Sequence, residues 1–438
     1  MDSAYDNSLI DSLAEARRLV AAGRYADSVR SYERALRFDP QQVEALNAVA
    51  LWALRHDDTA RALELLRSAL AVAPDDPLTH YHLSQALQAV DDTLGAVRHL
   101  WNALERRPVF FLARLAMAEC LEKAGRRDLA LPHYFRAITD AQKEGRWRSA
   151  ETTPPALQDR VRHAMQVVDT GRSELYHGLF ESWVSEFGRS ELTRVRACLD
   201  GYLGERRVEL ADPEQRPTFL YFPGLPAAPF VDLRRVPQMQ ELAEQTADIR
   251  AELLEVIGSE TGREAVFPSA ALAAAHLAHA EGRASWNGYY FHRHGRERAE
   301  NIQSCPATFR ALERLPLCRV RDHGPETLFS VLSPGTHLLP HRGVTNTRLV
   351  GHLGLIVPPD CRLSVSGREY AWREGETVLF DDTYSHEAWN RSERDRIVLI
   401  FDLWHPDLSE AERRAVGMLV EAAGDLRLAA DRRPEALQ

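Results

Sequence analysis

Lysine is nearly missing from this chain of 438 residues: only Lys123 and Lys143 occur, and every other strong base is arginine. That pattern reads as the codon bias of a GC-rich genome rather than as a functional device. There is no surplus of positive charge either. The formal net charge is −10 and the pI about 6.0, which gives no electrostatic support for nucleic-acid binding, since that usually needs a basic face. No run of ~18 apolar residues occurs, so no membrane-spanning helix is expected. The opening segment, MDSAYDNSLIDSLAEARRLV, is polar and acidic and lacks the basic-then-apolar order of a secretory signal. CxxC spacing is absent as well. Cys120, Cys198, Cys305, Cys318 and Cys361 are scattered and odd in number. They read as reduced thiols rather than as a disulfide framework or zinc site, and so point to a soluble protein of a bacterial cytoplasm.

What is present first is a repeat. Pro40, Pro74 and Pro108 recur every 34 residues, as do Ala35-Leu36, Ala69-Leu70, Ala103-Leu104 and Ala137-Ile138. Gly23, Asp57, Asp91 and Gly125 keep the same step, and so do Ala62, Ala96 and Ala130. Each unit reads as helix, turn, helix. The alanines allow close approach of paired helices, and each proline ends the second helix because it lacks an N–H and clashes with the preceding turn. Residues 8–145 resemble a tetratricopeptide array, whose period is ~34 residues. Such an array offers a concave groove for a peptide or partner protein, or serves only as a spacer or dimerisation module. Helical sequence continues over 146–210 as a connector or cap, with LTRVRACLDGYLG carrying helical apolar spacing.

From about residue 211 the pattern changes. TFLYFPGL reads as a short strand, about 236–257 as one helix, and SWNGYYFHRHG as a half-buried strand. The histidines of the alanine-rich ALAAAHLAHAEG, like His292 and His294, read as exposed. After Glu326 short strands follow in succession: TLFSVLS, RLVGHLGLIV, RLSVSG, REYAW, ETVLF, SHEAWN and RIVLIFDLW. Their spacing, without intervening helices, predicts a β-sandwich, jelly roll or cupin-like barrel over 211–412, followed by a C-terminal helix and tail over 413–438.

Two histidines sit where neighbouring strands can bring them together. His341 lies in LLPHRG at a strand-end turn, and His386, 45 residues later, follows the strand ETVLF. Neutral imidazole suits Fe(II), whose usual non-haem site adds one carboxylate. The position two residues after His341, where that carboxylate commonly stands, is Gly343, which cannot ligate. Arg396 opens the apolar strand RIVLIFDLW, where a guanidinium is costly unless paired. Its fork suits a carboxylate, and Ser330 in TLFSVLS offers a nearby hydroxyl. Asp381 and Asp382 read as residues that orient a turn or support the metal ligands rather than bind metal themselves.

The motifs Pro334-Gly335-Thr336-His337, Pro340-His341-Arg342-Gly343 and Thr345-Asn346 follow one another in order. So do His352-Leu353-Gly354-Leu355, Phe380-Asp381-Asp382, His386-Glu387-Ala388-Trp389 and Trp404-His405-Pro406. Residues 326–408 thereby resemble the aspartyl/asparaginyl β-hydroxylase family of 2-oxoglutarate oxygenases. The resemblance implies a double-stranded β-helix whose iron is held by only two protein histidines, so Gly343 is the family's pattern. It implies His341 and His386 as Fe(II) ligands essential to catalysis, with 2-oxoglutarate and O2 as co-substrates. Arg396 and Ser330 would hold the distal carboxylate of 2-oxoglutarate, and His352 would contact its metal-chelating end. Arg348 would lie near a substrate carboxylate, with Trp286 and Tyr290 as half core, half pocket wall. His337 and His405 read as structural.

The implied reaction is hydroxylation of a C–H bond, foremost the β-carbon of an aspartyl or asparaginyl residue in a peptide or protein held partly by the repeats. The family expects a second arginine two residues after Arg348, and Val350 stands there. An acidic substrate would lose a charge-assisted contact of about 1.5–3 kcal/mol. An asparaginyl residue, a lipid acyl chain or a small amino-acid-derived metabolite therefore stays open as substrate. An inactive cupin-like scaffold is the non-enzymatic alternative, against which the joint presence of His341, His386, Arg396 and Ser330 argues.

Overall fold

The computed structural model describes residues 2–258, 262–279 and 285–433. The final residues of the expected C-terminal tail lie outside them. The chain divides into two compact units, residues 1–172 with 424–438, and residues 173–423. The expected connector, 146–210, is thus divided between Arg172 and Ser173.

The first unit holds four helix pairs: α1 (Asp2–Ala21) with α2 (Tyr25–Phe38), α3 (Val43–Arg55) with α4 (Thr59–Val72), α5 (Pro77–Ala89) with α6 (Thr93–Arg106), and α7 (Phe111–Lys123) with α8 (Arg127–Lys143). The repeat columns explain themselves in this geometry. Ala35, Ala69, Ala103 and Ala137 are all fully buried, as are Ala62 and Ala96, because a larger side chain would push the paired helices apart. Gly23, Asp57, Asp91 and Gly125 all adopt left-handed φ, between 58° and 75°, at the turn inside each pair. Only glycine, asparagine and aspartate enter that region readily, which restricts the column to the residues found there. Asp58, Asp76 and Asp92 cap the helices that follow them, each side chain accepting a backbone N–H of the first turn. Helix α9 (Gln158–Phe187) follows the array.

The second unit contains α10 (Thr193–Leu203), α11 (Gln238–Glu244), α12 (Thr246–Val256), α13 (Ala270–His276), α14 (Ala299–Ser304), α15 (Pro306–Glu313) and α16 (Glu410–Ala429), the last extending past its boundary. Its strands are β1 (Arg263–Ala265), β2 (Leu277–His279), β3 (Trp286–Arg293), β4 (Arg296–Glu297), β5 (Thr327–Leu332) and β6 (Thr336–His341). They continue as β7 (Arg348–Ile356), β8 (Cys361–Val365), β9 (Arg368–Tyr370), β10 (Thr377–Phe380), β11 (His386–Asn390) and β12 (Arg396–Trp404).

These strands form two antiparallel sheets. The larger runs β1-β3-β5-β12-β7-β10, with β4 on β3, and the smaller runs β2-β6-β11-β8-β9. From β5 onward the chain alternates between them, except that β8 and β9 form a hairpin within the smaller sheet, which is the double-stranded β-helix arrangement. Side-chain alternation assigns the faces. Leu349, Leu353, Leu399 and Phe401 pack with Met239, Leu253 and Leu312 of the helices. On the opposite face Val350, Phe380 and Val398 meet Leu338, Leu363 and Ala388 of the smaller sheet.

Three local expectations differ. TFLYFPGL contributes only an isolated bridge, Leu220 to Thr345, because Asn346 takes both polar backbone groups of Phe222. The helix expected over 236–257 is broken between Glu244 and Thr246. His292 is fully buried and bonded to Thr327, whereas His294 is exposed.

Asp76→Ala removes the cap of α5, where the carboxylate accepts both the N–H and the hydroxyl of Thr79. A loss of about 1 kcal/mol is expected, read as a lower urea midpoint followed by helical circular dichroism. An unchanged midpoint contradicts the capping role.

Candidate functional site

The smaller sheet places His386 directly opposite His341 across the β6–β11 pair, with their ring centroids 4.0 Å apart. Both rings are oriented in the same way. The His341 Nδ1–H donates to the carbonyl of Leu339 at 2.9 Å, and the His386 Nδ1–H donates to that of Tyr384 at 3.1 Å. A carbonyl only accepts, so in each ring the proton sits on Nδ1 and the Nε2 lone pair is left for a ligand. Burial pushes both imidazoles down to about 4 and keeps them neutral, the form that binds metal.

Gly343 follows two residues after His341, and its missing side chain is a steric requirement. A Cβ there would lie 2.1 Å from the carboxyl group of Asp382. Asp382 therefore fills the space that a carboxylate at 343 would need. One of its oxygens takes Nη2 of Arg348 at 3.2 Å, while Oδ1 has no hydrogen-bond partner. Arg348 is itself gripped from the other side by Asp402, Nη1 to Oδ2 at 2.7 Å. The guanidinium is thus shared between two buried carboxylates of its own chain. Val350, two residues along the same face of β7, is packed in the apolar layer between the sheets.

On the larger sheet, Ser330 of β5 and Val398 of β12 are register partners, and Arg396 stands two residues before Val398. Arg396 is 2% exposed, and among the described residues its Nε and Nη1 have no hydrogen-bond partner. Its guanidinium lies 4.7 Å over the ring of Trp372. Burial without a counter-charge draws Arg396 down to about 10. His352 is buried nearby, stacked on Trp372 and edge-on to Phe380, whose ring also lies against His386. The Trp286 indole N–H donates to Ser330 Oγ at 2.8 Å. Trp286 thereby joins the Ser330 end of the site. Tyr290 is buried outside the apolar cluster around the histidines, with Arg293 covering its ring.

His341, His386, His352, Arg396 and Ser330 thus share the apolar layer between the sheets. Two neighbouring imidazoles with unprotonated Nε2 suit a cation, and a buried guanidinium with unbonded nitrogens suits a carboxylate. His337 bonds to Glu387 at 2.7 Å, and His405 accepts the backbone N–H of Asp407, each a structural contact. Sequence reasoning missed Trp372 and Asp402. An aspartate inside RIVLIFDLW carries the same signal that singled out Arg396, since it too demands a buried partner.

Two other features stand apart from this layer. His177, Asp200 and Glu205 form a cluster of metal-binding residue types, but Glu205 is taken by Ser173 and His177, and Asp200 by Arg196. In the first unit, a cavity of about 450 Å³ is lined by Tyr25, Tyr32, Asn47, Trp52, Arg55 and His82, among others.

A family model described as Aspartyl/Asparaginyl beta-hydroxylase matches residues 243–406. Over 250 residues the chain is 32% identical to aspartate beta-hydroxylase domain-containing protein 2 of Mus musculus, covering 56% of this chain and 70% of that protein. It is 34% identical over 132 residues to the aspartyl/asparaginyl beta-hydroxylase of Homo sapiens, covering 30% of this chain and 17% of that protein. Among solved structures, the crystal structure of MamA protein aligns with 47% of this chain and all of its own at 17% identity and a TM-score of 0.31, a likeness too slight to carry an argument.

Gly343→Ala is expected to cost on the order of 1–3 kcal/mol by overpacking against Asp382. In the double variant with Asp382→Ala the losses should sum to less than additively, with a coupling of about 1 kcal/mol. Strict additivity in denaturant unfolding contradicts the contact. A pH dependence follows from the histidines. His341, His386 and His405 stay neutral in the fold down to about 4, whereas an unfolded chain protonates histidine near ~6.5. The unfolded state therefore binds more protons within that window, and stability falls as pH drops from about 6.5 toward 4. The denaturant midpoint of the metal-free protein at pH 5 should lie below that at pH 7, and equal midpoints contradict the assignment.

Proposed function

The chain belongs to the aspartyl/asparaginyl β-hydroxylase family, and we propose that it is an Fe(II)- and 2-oxoglutarate-dependent dioxygenase that hydroxylates a C–H bond. The single observation that carries this reading is Arg396, a buried guanidinium with two unpartnered nitrogens in the same layer as two imidazoles with free Nε2 lone pairs. In the proposed site His341 and His386 hold the metal through Nε2. Arg396 and Ser330 hold the far carboxylate of 2-oxoglutarate, and His352 meets its other end. Bound iron with these co-substrates supplies the oxidising power, so that substrate, 2-oxoglutarate and O2 become alcohol, succinate and CO2. The chain's part is to orient the co-substrate and to keep water out of an apolar layer formed by Phe380, Val350, Val398 and Trp372.

For the substrate, one observation favours an uncharged reacting end. Arg348 already serves Asp382 and Asp402, and Val350 beside it is apolar, so an incoming carboxylate meets no free cation there. An asparaginyl side chain in a peptide fits this better than an aspartyl one, and a lipid acyl chain is the second reading. The cavity of the helical unit, walled by Tyr25, Trp52 and Leu78, is the candidate surface for a peptide or partner protein. Five buried cysteines without disulfides support a reducing compartment, the cytoplasm. Among the described residues no helix is long and apolar enough to cross a membrane.

Fe(II) with 2-oxoglutarate should raise the melting temperature, and with a suitable asparaginyl peptide or acyl substrate should yield succinate together with a gain of one oxygen atom. His386→Ala should abolish metal-dependent turnover. Arg396→Met should raise the 2-oxoglutarate concentration for half-maximal rate by roughly 10- to 100-fold, the size of one charge-assisted hydrogen bond of about 1.5–3 kcal/mol. No stabilisation by either Fe(II) or 2-oxoglutarate, or near-normal turnover by the His386 variant, overturns the reading.

A further inference from the structure

We infer that Trp372 and Trp286 are positioning residues that give the proposed co-substrate pocket a single polarity, so that its polar groups all donate. The inference rests on the 2-oxoglutarate reading for its purpose, but its geometry belongs to the chain alone.

An indole N–H can only donate, whereas a neutral imidazole and a hydroxyl can each donate or accept. The Trp372 Nε1–H donates to His352 Nδ1 at 3.3 Å. That bond uses the ring's acceptor, so the His352 proton must sit on Nε2, which becomes a donor. The Trp286 Nε1–H donates to Ser330 Oγ at 2.8 Å, occupying a lone pair and leaving the hydroxyl proton to be given elsewhere. Arg396 adds Nε and Nη1, both donors without partners. The result is a set of N–H and O–H groups within one layer between the sheets.

Trp372 does a second job in the same place. Its ring lies under the Arg396 guanidinium at 4.7 Å and stacks on His352 at 5.9 Å, holding both in one arrangement. Such a pocket suits a ligand that only accepts, such as a dicarboxylate. Its mono-alcohol or amine analogue would leave buried donors facing another donor, a costly mismatch. The contrast with the metal ligands is sharp. His341 and His386 face carbonyls and carry the proton on Nδ1. His352 faces an indole N–H and carries it on Nε2. Three histidines of one layer are thereby set in two tautomers, two to present lone pairs to a cation and one to present a proton to an anion.

The test is long-range proton–nitrogen NMR of the full chain with 15N-labelled histidine, without metal or co-substrate, with signals assigned by single histidine-to-glutamine variants. His352 is expected as the Nε2–H tautomer, and His341 and His386 as Nδ1–H. Trp372→Phe keeps an aromatic ring at the position but removes the N–H. It should release His352 into a mixture of tautomers and weaken 2-oxoglutarate binding about tenfold, the size of one ordinary hydrogen bond. For the second indole, Trp286→Phe should weaken 2-oxoglutarate binding in the parent but not in a Ser330→Ala background. His352 found as Nδ1–H in the unmodified chain, or unmoved by Trp372→Phe, overturns the role of Trp372. An undiminished Trp286→Phe effect without Ser330 overturns that of Trp286. Expected tautomers combined with no 2-oxoglutarate binding would instead sink the functional reading and leave the positioning of His352 by Trp372 intact.

Discussion

The candidate site depends on one cross-strand register, the pairing of His386 with His341 between β11 and β6. Because side chains alternate across a strand, a slip of one residue would turn His386 to the outer face of the sheet and replace it with Glu387. An irregularity in the ladder directly beyond this pair, before Ala388 meets Leu338, keeps the histidines and the apolar side chains on the inner face together. From that register the neighbouring constraints follow. The turn before β11 brings Asp382 against Gly343, Asp382 fixes Arg348, and Arg348 reaches Asp402 on the strand that Arg396 begins.

The charges in this layer are arranged unequally. Arg348 is matched by two carboxylates, whereas among the described residues the Nε and Nη1 of Arg396 are unbonded and its guanidinium lies over the face of Trp372. A buried ion without a partner is one of the more expensive features a fold can carry. The chain keeps it within the layer between the sheets, and in the proposed function that cost is offset when the far carboxylate of 2-oxoglutarate binds. The two arginines, 48 residues apart in sequence, thus divide the work. One ties strands and the turn before β11 together, and the other stays available.

Much of this was legible in the sequence, for physical reasons that can be named. The repeat was visible because its constraints are local: alanine where helices touch, and glycine or aspartate where φ is left-handed. The strands after Glu326 were visible through their apolar alternation and breakers. β6 was not, because THLLPH has a proline and no alternation, and its partners lie far away in β2 and β11. TFLYFPGL looked like a strand by composition, but Asn346 holds the backbone polar groups of Phe222, and the one bridge formed is that of Leu220 to Thr345. His341, His386, Arg396 and Ser330 were named from their places in the strands and His352 from the family resemblance, and all five lie in one layer of the structure. What pattern reading left out were the long-range partners. Nothing local to RLVGHLGLIV says that Arg348 is held by carboxylates 34 and 54 residues later, or that a tryptophan in REYAW sets the proton of His352.

The account centres on two imidazole lone pairs and one unpaired guanidinium acting on a single chelating ligand. The most direct test is an anaerobic crystal structure with Mn(II) in place of Fe(II) and with 2-oxoglutarate, the metal located by its anomalous scattering. The account predicts Mn(II) on the Nε2 atoms of His341 and His386, with the far carboxylate of 2-oxoglutarate on Arg396. Metal bound elsewhere, or 2-oxoglutarate bound away from Arg396, would contradict it.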